Sequence, residues 1–276
     1  LRVNENECMG IISRAHQIGI KDIDISPSYI SGKSIRLTSK IVNLLNKKDI
    51  KIHTKVGSRY KDNQTKNAVY LSKIEINESI NLVKRLFPNN HLETVMIHIN
   101  STENVIRDSL IFLNDLRNKK FFRNVGICDF EEEYINKLVR DINLKEFYVQ
   151  KRYCLDILKS QNNAKFKYIA YGLLNAGSFL TRSKGRMETG LDANDINDRN
   201  TKILNNRKFK FIKEKCRYYD LSLVDYSIAC PLLSFYEGII IGPTKLSHLD
   251  CIERMLDKDY WARIIHLHNI VNDLNK

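Results

Sequence analysis

Four residues able to pass a proton stand where short apolar runs give way to polar loops. They are Asp24 and Tyr29 in IDISPSY, Lys55 in IHTKVG, and His98 in VMIHIN. A carboxylate, a phenol, an ammonium and an imidazole on one rim form a set able to protonate a carbonyl oxygen. A phenol is a weak acid, with an unperturbed pKa of about 10. A neighbouring ammonium stabilises the phenolate, lowers that pKa and eases proton donation. Lys55 can supply that charge from the next strand, Asp24 the counter-charge that an inward lysine requires, and His98 a hydrogen bond that orients the carbonyl. Taken singly each residue is commonplace: strand-end aspartates cap turns, lone lysines and tyrosines sit on surfaces, and a lone strand histidine packs in a core. Their recurrence at successive strand ends is what points to chemistry.

The elements that must position them follow from pattern. β-rich apolar runs recur at 20–25, 50–56, 94–99, 124–127, 147–150, 168–171 and 238–241. Helix-period segments lie between them, at 7–18, 34–46, 73–86, 103–117, 131–139, 156–166, 203–218 and 222–233. Strand alternating with helix along the chain is the pattern of parallel βαβ units. Runs without polar alternation suit strands covered on both faces. An open doubly wound sheet and a (β/α)8 barrel both fit. The dinucleotide-sheet reading needs G-x-G-x-x-G after its first strand, which the sequence lacks. A TIM barrel puts function at the carboxyl ends of its strands, where Asp24, Lys55 and His98 fall. The expectation is therefore α/β, a (β/α)8 TIM barrel forming one domain over 1–276. Seven strands are counted and the chain opens on a helix, so the first strand is expected to be missing from the N-terminus, through truncation or an incomplete barrel. The irregular stretch 172–201, with Gly177, Gly185 and Gly190, reads as a long functional loop.

Composition narrows the class. At 276 residues, 43% hydrophobic and 28% charged, the chain is an ordinary globular one. Its longest apolar stretch, around 228–241, is broken by Glu237 and Pro231, so no membrane span is expected. Six cysteines without a C-x-x-C pair argue against zinc or a disulfide framework and for a reducing, cytoplasmic setting. No metal site is expected; His266 and His268 are two apart and do not share a helix face. The net charge of +13 permits an anionic partner, but a lysine-rich surface explains it more simply. The basic and aromatic run 206–217 reads as an amphipathic helix with Phe209, Ile212 and Cys216 on one face, rather than as a nucleic-acid surface.

At this point the residues carry a resemblance. GIKDIDISPSYISGKSI (19–35), Thr54-Lys55-Val56-Gly57, Lys84-Arg85-Leu86 with Glu93 to His98, Val125-Gly126-Ile127-Cys128-Asp129-Phe130, Gln150 to Leu155, Ala170-Tyr171-Gly172-Leu173-Leu174-Asn175-Ala176-Gly177, and Gly242 to Leu249 follow one another as the motifs of aldo-keto reductases do. The chain resembles that family along nearly its whole length. The resemblance implies an NAD(P)H-dependent carbonyl reductase acting on a small or sugar-like aldehyde or ketone, with Asp24, Tyr29, Lys55 and His98 as its catalytic tetrad. It also implies cofactor-binding roles. Tyr171 would stack on the nicotinamide, and Cys128, Asp129 and Gln150 would face the carboxamide. Gly172, Leu174 and Gly177 would begin the loop over the pyrophosphate, and Gly242, Thr244, Lys245 and His248 would meet the adenosine end.

Ser247 and Asp250 have the spacing of a helix start, whose free N–H groups favour a phosphate. Lys245 and His248 then favour NADPH over NADH. The chain also departs from the family: Cys128-Asp129 replace Ser-Asn, Leu173 replaces a proline, Ile252 an asparagine, and His248 an arginine or glutamine. These departures motivate a second reading, a catalytically weak binding or regulatory protein such as the potassium-channel beta subunits that resemble the family. Whether the chain is a monomer or a homo-oligomer is left open.

Overall fold

The computed structural model describes residues 3–58, 69–99, 101–140, 142, 146–153, 166–174 and 207–273. Contacts divide the chain into two compact units. One comprises 1–150, 164–167 and 243–246, the other 151–163, 168–242 and 247–276.

In the first unit the predicted alternation of strand and helix is present. The order is α1 (Glu5–Gln17), β1 (Asp22–Asp24), α2 (Lys33–Leu44), β2 (Lys51–Ser58), β3 (Val69–Tyr70), α3 (Lys73–Leu86), β4 (His91–Ile97), α4 (Glu103–Asn118), β5 (Asn124–Cys128), α5 (Glu132–Val139) and the first four residues of β6 (Phe147–Arg152). β1, β2, β4, β5 and β6 pair in chain order and all in parallel. The two-residue β3, unforeseen in the sequence, runs antiparallel to β2.

The helices start where their caps dictate. Asn4 and Glu7 form a reciprocal capping box before α1, and Ser72 and Glu75 another before α3. The buried faces of α3 (Ile76, Ile80, Val83) and α4 (Ile106, Leu110, Leu113) follow helical spacing. These helices pack on β2, β4 and β5.

Register sorts the strand residues into two faces. Val56, Ile97, Ile127 and Val149 stand side by side in one row, and Thr54, Val95, Val125 and Phe147 in the next. All eight are buried. Because side chains alternate, the intervening positions share the other face: His53, Lys55, Thr94, Met96, Asn124, Gly126, Cys128, Tyr148 and Gln150. One face is apolar apart from Thr54 and the other mostly polar, so the sheet itself gathers the chemistry on one side.

The second unit holds the last four residues of β7 (Phe166–Tyr171), then α6 (Arg207–Tyr218), α7 (Leu223–Ala229), β8 (Tyr236–Ile239), α8 (Asp250–Met255) and α9 (Lys258–Asp273). β7 and β8 pair in parallel. Phe209, Ile212 and Cys216 form the buried face of α6, as their spacing predicts, and pack with Tyr226, Ile264 and Leu267. Asp225, fully buried, takes a bidentate pair of bonds from Arg254 at 2.6 and 2.9 Å and a third from the Tyr260 hydroxyl at 2.7 Å. The helix predicted at 156–166 lies outside the described residues, apart from Phe166, which opens β7.

Gly126 leaves no room for a side chain between its neighbouring strands. A Cβ there would lie 2.5 Å from the Tyr148 carbonyl oxygen and 2.8 Å from Met96 Cγ. Gly126→Ala should therefore lower the unfolding free energy by about 1–3 kcal/mol, the usual size of an overpacking penalty, read as a lower urea midpoint with an unchanged slope.

Candidate active site

Asp24 closes β1, Lys55 lies on β2, and His98 follows β4, its N–H donating to Val56 O at 2.9 Å as an extension of the ladder. Register fixes their approach. Asp24 pairs with His53, and Lys55 lies two residues further on the same face of β2. The Lys55 ammonium donates to Asp24 Oδ1. The pair is nearly dry, with side chains 2% and 14% exposed. Tyr29 arrives from the loop after β1. Ser26 and Ser28, both buried, hold that loop with an Oγ···Oγ bond of 2.7 Å, and Tyr29 N–H donates to Ser26 O at 3.1 Å. The Tyr29 ring lies 5.2 Å from the Lys55 ammonium and edge-on to the His98 ring, centroids 5.7 Å apart. The structure thus brings all four residues together: Asp24 and His98 at the ends of β1 and β4, Lys55 within β2, and Tyr29 from the loop after β1.

Immediately after Tyr29 the backbone turns through three left-handed residues, Ile30 (φ 52°), Ser31 (φ 52°) and Gly32 (φ 77°). A β-branched residue resists that conformation, so Ile30 holds a strained turn beside the phenol. Strain of this kind is commonly retained where geometry matters.

Burial dominates the electrostatics. It raises the Tyr29 pKa; the Lys55 charge pulls it down and Asp24 pushes it up again. The sequence expectation of a lowered phenol pKa holds for the Lys55 contribution but not for the net direction, because desolvation of the phenolate outweighs it. Burial also works against the Lys55 charge, yet the adjoining Asp24 carboxylate reverses the sign and keeps Lys55 protonated above its ordinary range. Burial, with help from Lys55, lowers the His98 pKa to about 4, so the imidazole is neutral at pH 7. Its Nδ1 is buried without a hydrogen-bond partner among the described residues.

The residues singled out for a cofactor are placed less uniformly. Cys128 is buried at the end of β5, and burial raises its thiol pKa, so it stays protonated. Asp129 is exposed and left-handed (φ 60°), its N–H donating to Gln150 O at 2.9 Å. Gln150 is turned inward: its Nε2 donates to Asp24 Oδ2 at 2.6 Å, and its Oε1 accepts from Cys128 Sγ at 3.5 Å. Neither bond was foreseen. Tyr171 ends β7 and carries the Arg152 guanidinium 5.7 Å from its ring centroid. Gly172 follows in a left-handed turn, then Leu173 and the part-buried Leu174. Gly177 lies outside the described residues. Gly242, Lys245 and His248 are exposed and Thr244 is half-buried. The expected side-chain cap from Ser247 is not formed. Leu246–Leu249 is a 3-10 turn leading into α8, whose N-cap is Leu249 with no side-chain hydrogen bond.

Below the Lys55–Asp24 pair the same face carries a further polar group. His53 bonds Asp22 Oδ1 through Nε2 at 2.8 Å and Thr94 Oγ1 through Nδ1 at 3.0 Å. The signal for it was in the sequence, since His53 and Lys55 share parity on one strand.

A parallel α/β sheet carries this polar constellation, and comparison with known proteins gives the chain its family. The sequence model of the Aldo/keto reductase family matches residues 1–267, and the chain belongs to that family. No curated protein matches it by sequence. Among solved structures it is similar to the glycerol dehydrogenase AKR11B4 from Gluconobacter oxydans, at 15% identity and a TM-score of 0.74, over 95% of this chain and 85% of that one. It is also similar to the aldo-keto reductase AKR11C1 from Bacillus halodurans in its holo form, at 17% identity and a TM-score of 0.70, over 96% and 88%. Likeness at this identity shows the fold, that of the (β/α)8 barrel. Membership implies an oxidoreductase, and aldo-keto reductases use nicotinamide cofactors.

The depressed His98 pKa has a stability consequence. In the unfolded chain His98 binds a proton below about pH 6.5, whereas in the folded one it does so only below about 4. Between these values the unfolded state holds more protons, so stability falls as pH falls. The contribution should reach roughly 3 kcal/mol across that window. His98→Gln should flatten the pH dependence of urea stability there relative to the parent protein.

Proposed function

We propose that the protein is an NAD(P)H-dependent carbonyl reductase, converting an aldehyde or ketone to an alcohol with Tyr29 as proton donor. The observation that carries this reading is the convergence of Tyr29, a dry Lys55–Asp24 pair and a neutral His98 within one polar face. A neutral His98 can donate a hydrogen bond to a carbonyl oxygen without competing as an acid. The raised pKa of Tyr29 keeps its proton in place until negative charge develops on that oxygen. As the proton leaves, the Lys55 ammonium beside the ring stabilises the phenolate, and Asp24 keeps Lys55 charged while buried.

A bound reduced nicotinamide would supply the hydride. The residues that the family resemblance assigns to such a group suit it in part. By that resemblance Tyr171 would stack on the nicotinamide and Thr244, Lys245 and His248 would meet the adenosine end, with Lys245 and His248 favouring NADPH. Gln150, in contrast, is turned inward, one amide N–H bonded to Asp24 and its oxygen to Cys128. The similarity to a glycerol dehydrogenase supports a small, polyol- or sugar-like substrate. No helix among the described residues is long and apolar enough to cross a membrane.

Arg152 over Tyr171, together with the inward Gln150, favours one second reading, a protein of the same fold that binds cofactor weakly and turns over little. A single variant separates the two. Tyr29→Phe should cut carbonyl reduction by about 100- to 10,000-fold, the range of general acid catalysis, while NADPH quenching of protein fluorescence gives a nearly unchanged Kd. Equal turnover in the variant and the parent would refute the assignment of Tyr29, and failure of the parent to bind NADPH or NADH would leave the weak-binding reading.

A further inference from the structure

Gln150 is only 3% exposed. Both of its polar atoms are used inside the sheet: the amide N–H meets Asp24 Oδ2 at 2.6 Å, and the amide oxygen meets the Cys128 thiol at 3.5 Å. The other Asp24 oxygen is held by Lys55. The result is a chain of directed bonds, from Cys128 S–H to Gln150, from Gln150 to Asp24, and from Lys55 to Asp24. Cys128 and Gln150 are register partners on β5 and β6, so the strands themselves set the first link. We infer that Gln150 is a positioning residue for the proton transfer. It fixes the Asp24 carboxylate so that a single oxygen serves Lys55, leaving the ammonium charge directed at the Tyr29 ring.

The chemistry favours this role. A nearly dry carboxylate with one partner would turn both oxygens onto Lys55 and compensate its charge more completely. A neutral amide occupies the second oxygen without bringing a second positive charge to compete with Lys55. The Cys128 thiol polarises the amide further, since linked hydrogen bonds strengthen one another. Cys128 can do so only as a donor, which its burial ensures.

The inference rests on Tyr29 as proton donor, and its test separates the two. Gln150→Leu and the isosteric Gln150→Glu would be prepared with Tyr29 intact and with Tyr29→Phe. The ultraviolet difference titration of each pair isolates the Tyr29 phenol and needs no turnover. NADPH affinity and reduction of 4-nitrobenzaldehyde would be measured in parallel. In Gln150→Leu the Tyr29 titration should move to higher pH. Its kcat should fall roughly ten- to hundredfold, the size of a lost hydrogen bond to a charged group.

In Gln150→Glu two carboxyls would face one another and could not both ionise. The shared proton would act as the amide does, so the rate should be highest at low pH and fall as that proton is lost, a limb the parent lacks. An unmoved Tyr29 titration in Gln150→Leu, or a Gln150→Glu pH profile parallel to that of the parent, overturns the inference whatever happens to NADPH affinity. If the parent reduces no aldehyde, the reading of Tyr29 as proton donor fails instead, and the titrations still decide the role of Gln150.

Discussion

The buried Lys55–Asp24 ion pair is the constraint on which the site depends. An ammonium 2% exposed is tolerable only with a counter-charge in contact. That contact requires β1 and β2 to be parallel neighbours in one register. A slip of one residue would send Lys55 to the helix-covered face and bring an apolar side chain to the site. The apolar rows of Val56, Ile97, Ile127 and Val149 hold the register against α3 and α4. Packing on one face of the sheet therefore maintains electrostatics on the other.

The ion pair then sets the properties of its neighbours. The same charge that lowers the cost of a Tyr29 phenolate disfavours a second cation, which helps keep His98 neutral. Three roles are separated by environment rather than by residue type: a group that holds a proton, a group that stays charged, and a group that stays uncharged. Burial alone would lower the Lys55 pKa as it does that of His98. The carboxylate at the end of the next strand distinguishes it from His98, which has Lys55 nearby but no carboxylate in contact.

Much of this was legible in the sequence because strand periodicity is local. Strand-end positions of Asp24 and His98 follow from where apolar runs stop, Lys55 lying three residues inside the end of β2, and the alternation of strand and helix follows from runs of four to sixteen residues. The features that escaped are non-local or depend on burial. The Gln150–Asp24 bond joins residues 126 apart, and no pattern along one strand announces it. The net direction of the Tyr29 shift required knowing how dry the phenol is. The left-handed turn at Ile30 and Ser31 runs against residue preference, so local propensity predicts something else there. β3 is too short for any period, and the Ser247–Asp250 spacing matched a cap that the chain did not form.

The disagreements between propensity and structure gather around Tyr29. Ile30 is strained, the phenol is harder to ionise than its lysine neighbour alone would make it, and Asp24 draws a donor from a residue whose sequence context pointed elsewhere. A fold selected only for stability would relieve each of these: a glycine at 30, an apolar residue at 55, an apolar pair at 24 and 150. Retaining all of them at once is expensive, and the cost is met by an otherwise consistent sheet whose apolar face is fully buried. The coincidence of local conflicts around one polar face, while the surrounding strands obey their pattern, is the argument for that face as the candidate site.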